Sequence, residues 1–147
     1  MIALIQRVSS SWVNIANNEI ARIGKGYNIL LGVIKGDEKD DIDKLVKKIV
    51  NLRLFPNEKG KMDKNIVQIK GQALIVSQFT LAADIKRGNR PDFSAAMPPH
   101  EAQKLYELFC QKLNAHIEVQ TGKFGAMMEV GIINDGPVTI TVDSRRL

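Results

Sequence analysis

The first eight residues, Met1-Ile2-Ala3-Leu4-Ile5-Gln6-Arg7-Val8, are mostly apolar, and Trp12-Val13-Asn14-Ile15 partly alternates. These runs predict strands over 2–8 and about 11–15, with further strands over 19–23 and 27–34. Asn17-Asn18 and Gly24-Lys25-Gly26 supply the turns between them. Residues 27–34 are nearly all apolar, the pattern of a strand covered on both faces. The period then changes. Ile42, Leu45, Val46, Ile49 and Leu52 recur at helical spacing and predict a helix over 37–53. Asp37, Glu38, Asp40 and Asp41 gather at its start and Lys44, Lys47, Lys48 and Arg53 follow, which complements the helix dipole. An acidic cluster can hold a metal, but a solvated first turn is the plainer account of this one.

Phe55-Pro56 closes that helix, and residues 56–61 predict a turn or hairpin tip. Ala73-Leu74-Ile75-Val76 reads as a buried strand running into Ser77-Gln78-Phe79-Thr80. Residues 84–99 form a long irregular loop, a length that is usually functional or mobile within a small domain. A second helix is predicted over 100–114, with Leu105, Phe109 and Leu113 four residues apart, and strands follow over 116–120, 127–134 and 137–142. The order of elements predicts an α+β fold: one compact domain over 1–147, a largely antiparallel, barrel-like sheet, and two main helices packed on it.

With 147 residues, 44% hydrophobic and 25% charged, the chain suits one globular domain with a real core. No apolar run approaches the roughly 18 residues that would span a membrane. The N-terminal segment has neither a basic leader nor a small-residue cleavage site, so it reads as a strand rather than a signal peptide. A single cysteine, Cys110, leaves no internal disulfide and fits a reducing cytoplasm. The net charge of +5 favours anionic partners, nucleic acid among them.

Most candidate chemistry falls away. His100 and His116 have no ligand spacing with each other or with Cys110, so no zinc site is expected. No local signature supports a Ser-His-Asp triad, and Gly24-Lys25-Gly26 lacks the rest of a phosphate loop. Cys110, beside Phe109 on the second helix, reads as a buried small hydrophobe. Two segments resist this treatment. Ser77-Gln78-Phe79-Thr80 puts hydroxyl, amide and aromatic groups at the end of a buried strand. They can hold an ester carbonyl and activate water, or simply satisfy neighbouring backbone. Asn134-Asp135-Gly136-Pro137 is a good turn between two strands, yet Gly-Pro can also aim main-chain carbonyls rigidly at a ligand. Lys86, Arg87 and Arg90 can track a phosphate backbone or form a solvated loop.

Taken together, Ile5-Gln6-Arg7-Val8, residues 77–84, residues 87–93, residues 120–128 and Asn134-Asp135-Gly136-Pro137-Val138-Thr139 resemble the D-aminoacyl-tRNA deacylase family, in order and almost end to end. The resemblance implies hydrolysis of the ester joining a D-amino acid, or mischarged glycine, to the 3′-terminal adenosine of tRNA. It implies a cytoplasmic homodimer that needs no metal or other cofactor and no membrane. It also implies roles. Ser77, Gln78, Phe79 and Thr80 would line the ester site, with backbone N–H groups near Phe79 and Thr80 holding the carbonyl oxygen. Gly136-Pro137 would be a cis pair donated into the partner subunit's site, its carbonyls excluding an L side chain, with Arg7 fixing its orientation. Phe124 and Met128 would lie near the adenine.

Two mechanisms follow. Thr80 acts as nucleophile or polarises water, or the ribose 2′-hydroxyl assists and the protein supplies position and an oxyanion site. The second is favoured, because no histidine or carboxylate neighbours Thr80 in sequence to serve as its base. Rival functions are a non-catalytic RNA-binding module, an esterase for small D-amino acid derivatives, and an inactive structural dimer. The first lacks interleaved aromatics; the last leaves Ser77 to Thr80 unexplained.

Overall fold

The alternation at the start of the chain runs further than predicted. In a computed structural model, which describes residues 1–86 and 88–147, the two expected segments form one strand, β1 (Ile2–Ile15). The turn at Ala16 and Asn17, both at positive φ, leads into β2 (Asn18–Ile23), and β3 (Gly26–Gly32) follows. Next come α1 (Lys39–Asn51), the small hairpin of β4 (Phe55–Pro56) and β5 (Met62–Lys64), and β6 (Gln72–Ser77). The chain finishes with α2 (Pro99–Asn114), β7 (Glu118–Thr121) and β8 (Glu129–Asp143).

The main sheet has the order β2-β1-β3-β6-β7, with β8 also paired to β1. It is mixed and nearly closed. β1 pairs antiparallel with β2, β3 and β8, whereas β3–β6 and β6–β7 are parallel. The parallel pairs have a simple origin, because each needs a crossover. The segment containing α1 returns the chain from β3 to β6, and α2 returns it from β6 to β7. Both helices cover the same face. Ile42, Leu45 and Ile49 of α1 and Tyr106, Phe109 and Leu113 of α2 pack over Ile5, Ile29 and Ile75. Burying a side chain of this size contributes roughly 1.5–3 kcal/mol, so this layer dominates the core. A smaller cluster, with Val8, Val13, Ile23, Leu74 and Val76, fills the other side of the sheet. Cys110 is buried in the main core, as expected, and burial pushes its thiol up to about 12.

Two expectations change. The acidic start of the first helix is not wholly solvated. Asp37 is buried and pairs with the Met1 ammonium at 2.7 Å, while also accepting from the Ile34 amide at 2.6 Å. Glu38 and Asp41 do form an exposed capping arrangement, each accepting from the other's end of the first turn. Nor does Asn134-Asp135-Gly136-Pro137 turn the chain. The predicted strands 127–134 and 137–142 are one strand, β8, and the tetrapeptide lies within it. β1 offers a continuous partner on both sides of the interruption, so the ladder resumes after a bulge instead of reversing. No helix among the described residues is long and apolar enough to cross a membrane.

Candidate active site

β6 ends where the sequence changes from apolar to polar. Ser77 still pairs with Leu31, and the Gln78 amide still donates to the Leu31 carbonyl at 2.8 Å. Phe79–Ala82 then turns into one short 3-10 segment. Gly32 permits the close crossing there, since a Cβ on it would lie 3.0 Å from both the Gln78 carbonyl oxygen and Leu81 Cβ.

This strand end opens on a cavity of about 740 Å³, whose walls include Ser77, Gln78, Phe79, Phe124 and Met128. These expected site residues therefore meet around one space, although Phe124 and Met128 are some fifty residues away in sequence. The remaining wall is mostly apolar, and Lys35 is the one charged residue among the described lining. Phe93 meets Phe79 edge-on at 5.1 Å between ring centroids. Beneath, Tyr106 donates to the Ile75 carbonyl at 2.8 Å and packs against Phe124 at 5.6 Å. Lys35 and Phe93 were not singled out from the sequence. Lys35 had a signal, the first charge after the apolar run ending at Ile34.

Thr80 stands at the rim and does not itself line the cavity. Its Oγ1 accepts from Gln78 Nε2 at 2.5 Å. Among the described residues, no histidine or carboxylate hydrogen-bonds to the hydroxyl of Thr80 or Ser77. His100 is exposed in the first turn of α2, and His116 is exposed beyond its end. The backbone amides of Phe79 and Thr80, first in their 3-10 turn, find no acceptor among the described residues. The strand end thus presents two free N–H donors beside an apolar cavity and no paired general base. That arrangement can stabilise an oxyanion but cannot readily ionise a hydroxyl.

The second candidate segment lies elsewhere. Gln6 pairs with Thr139 and Val8 with Asn134, so residues 135–138 bulge out opposite Arg7 alone. Gln6 Nε2 reaches Asn134 Oδ1 and Thr139 Oγ1 at both feet of the bulge, each at 3.5 Å. Arg7 holds the bulge from below. Its Nε donates to the Asp135 carbonyl at 2.9 Å, and Nη1 donates to the Leu54 carbonyl at 2.5 Å. Asp135 Oδ2 lies 3.3 Å from Arg7 Nε. Gly136 has φ of +138°, and a Cβ there would come within 2.8 Å of the Val138 nitrogen. The Gly136–Pro137 bond is cis, and both residues are exposed.

Arg7 is level with Tyr27 of β3, while Ser77 is level with Leu31. Four residues along a strand is about 13 Å, before the intervening strand spacings are added. Within one chain, the bulge and the cavity are therefore separate, and Arg7, Gly136 and Pro137 do not line it. Of the basic loop, Lys86 and Arg90 are exposed, and Arg87 lies outside the described residues.

A family profile described as D-Tyr-tRNA(Tyr) deacylase matches residues 4–143. The chain is 71% identical to the D-aminoacyl-tRNA deacylase of Nitratiruptor sp. and 53% identical to that of Persephonella marina, in each case over 100% of both chains. A solved structure described as c-Myc DNA Unwinding Element Binding Protein is 40% identical, covers 97% of this chain and 98% of its own, and superposes with a TM-score of 0.93. A probable eukaryotic D-amino acid tRNA deacylase, 16% identical over 96% of this chain and 97% of its own, shares the fold with a TM-score of 0.78.

Proposed function

This chain belongs to the D-aminoacyl-tRNA deacylase family and is a hydrolase, and we propose that it clears D-amino acids and mischarged glycine from tRNA in the cytoplasm. The cavity at the end of β6 receives the 3′-terminal aminoacyl-adenosine. Ser77 and Gln78 line the ester, and Phe124 and Met128 flank the adenine. The observation that carries this reading is the pair of unpartnered amides at Phe79 and Thr80 beside an apolar cavity. Such donors stabilise the negative charge that builds on the carbonyl oxygen as water attacks. With no base on Thr80, the substrate's own 2′-hydroxyl assists that attack. The ester carbon gains the water oxygen, the bond to the ribose oxygen breaks, and free D-amino acid and tRNA leave.

Chirality is judged by main chain. The protein works as a homodimer, and each subunit's Gly136–Pro137 bulge enters the partner's cavity. Its carbonyls occupy the space an L side chain needs, so an L substrate collides while a D substrate or glycine fits. Main chain suits this task because it cannot rotate aside as a side chain can. The distance between the bulge and the cavity of its own chain supports delivery across an interface.

The description of the 40% identical structure raises a second reading, nucleic-acid binding without catalysis, which the net charge of +5 also favours. One assay separates them: deacylation of matched D- and L-tyrosyl-tRNA by purified protein with chelator present. Cleavage of the D ester alone is expected. Cleavage of neither favours the binding reading, and cleavage of both removes the chirality filter.

A further inference from the structure

Lys35 is the single charged residue among the described residues lining the cavity, and the substrate proposed above makes its sign informative. Esterification consumes the α-carboxylate, so the D-tyrosyl ester has no carboxylate, its α-amino group is cationic, and adenosine is neutral. A cation in this cavity therefore repels the amino acid end. Apart from the side chain of an acidic amino acid, the only anions such a substrate carries are the phosphodiesters of its RNA. We infer that Lys35 grips a phosphate of the tRNA 3′ end and so fixes which way the aminoacyl-adenosine lies in the cavity. The inference rests on the deacylase reading.

The local structure is built to hold this residue in place. Lys35 leaves the apolar run of β3 just past the Ile34–Ala96 bridge. Its amide donates to the Ala95 carbonyl at 2.9 Å, and its own carbonyl accepts from Arg145 Nη2 at 2.9 Å. The backbone is pinned from two sides while the side chain stays exposed. Among the described residues its ammonium has no carboxylate within 4.0 Å, whereas neighbouring Arg145 is already engaged by Asp37 at 3.3 Å. A fixed stem, a free charge and an uncharged apolar wall make an anion contact that reads position but not sequence. With Lys35 on the phosphate, the amino acid end points toward Ser77 and the free amides of Phe79 and Thr80.

The test compares three esters of D-tyrosine: D-tyrosyl-tRNA, 3′-D-tyrosyl-AMP and 3′-D-tyrosyl-adenosine, which has no phosphate. Wild type, Lys35→Ala and Lys35→Arg are assayed at two salt concentrations about fourfold apart. None of the pinning bonds uses the Lys35 side chain, so the variants should fold, and their melting temperatures check this. Lys35→Ala should raise KM for D-tyrosyl-tRNA at low salt and leave kcat nearly unchanged, with Lys35→Arg restoring it. The rise in salt should cost wild type about 2.6-fold more in kcat/KM than Lys35→Ala, the worth of one single-strand phosphate contact. Hydrolysis of the adenosine ester should not change. A defect shared by the AMP ester places the contact at the terminal phosphate; a defect confined to tRNA places it further along the strand. Equal loss on all three esters, or loss on none, overturns the inference. If wild type hydrolyses no D-ester, the deacylase reading itself has failed.

Discussion

Two places in this protein interrupt an apolar strand with polar or conformationally special residues, and they are built in opposite ways. At the end of β6, the chain turns so that two amides lose their partners beside a cavity. In the middle of β8, the chain bulges and is braced from below: Arg7 holds the Asp135 and Leu54 carbonyls, and Gln6 spans both feet. The first region is open and unsatisfied, as suits a group waiting for substrate. The second is exposed yet rigid, as suits a probe that must not yield. In the proposed reading one receives and the other projects; within one chain they do not meet.

The comparison breaks most easily at Arg7. Arg7→Ala removes donors from two carbonyls and leaves a gap under the bulge, so unfolding by urea should show a loss of about 3 kcal/mol. Arg7→Lys should recover only part of it, because an ammonium lacks the planar fork that reaches both carbonyls. A fully stable Arg7→Ala protein would mean the bulge holds itself. Pro137→Ala asks whether the probe judges chirality. It should raise the ratio of L- to D-tyrosyl-tRNA cleavage by about tenfold or more, with D cleavage within about threefold of wild type. An unchanged ratio in a folded variant assigns the filter elsewhere. Thr80→Ala tests the open region. It should keep D cleavage within about tenfold, since the hydroxyl has no base and its amide remains. Complete loss with intact binding would make Thr80 the nucleophile.

The smallest effect concerns the core beneath both regions. Burial raises the Cys110 thiol from 9.0 to about 12 and also raises the neighbouring Tyr106 phenol, so folding favours their neutral forms. Because the folded pKa values lie above the unfolded ones, that stability is fully present below pH 9 and is lost as the pH climbs toward 12. Thermal melts should therefore fall across this window, and Cys110→Ala should fall less steeply. A flat profile would contradict the neutral core.

The sequence made the layers plain because periodicity records burial directly. Ile42, Leu45 and Ile49 marked one helix, Leu105, Phe109 and Leu113 the other, and both cover the sheet as expected. The turn alternative at Asn134 to Pro137 does not hold, because local turn chemistry carries no information about β1, whose length lets the ladder resume. Asp37 was misread as solvated, because the partner that buries it, the Met1 ammonium, is distant in sequence. The strand end at Ser77 to Thr80 was legible from its change of polarity. Backbone N–H groups near Phe79 and Thr80 are expected there too, but that they lack acceptors is not legible, since every residue carries an amide and only the 3-10 turn leaves these unpaired. Lys35 was missed because an isolated lysine after an apolar run looks like any strand terminus.

In the proposed dimer the rigid bulge of one subunit guards the open site of the other. Mixed dimers test it directly. One subunit carries Pro137→Ala with an intact cavity; the other keeps Pro137 but carries Ala126→Trp, a cavity-filling change confirmed as inactive in its own homodimer. The only working cavity then belongs to the Pro137→Ala chain, and its only partner bulge is intact. D-tyrosyl-tRNA should be cleaved and L-tyrosyl-tRNA left alone, whereas cleavage of the L ester would show that each chain guards its own cavity and would contradict the account.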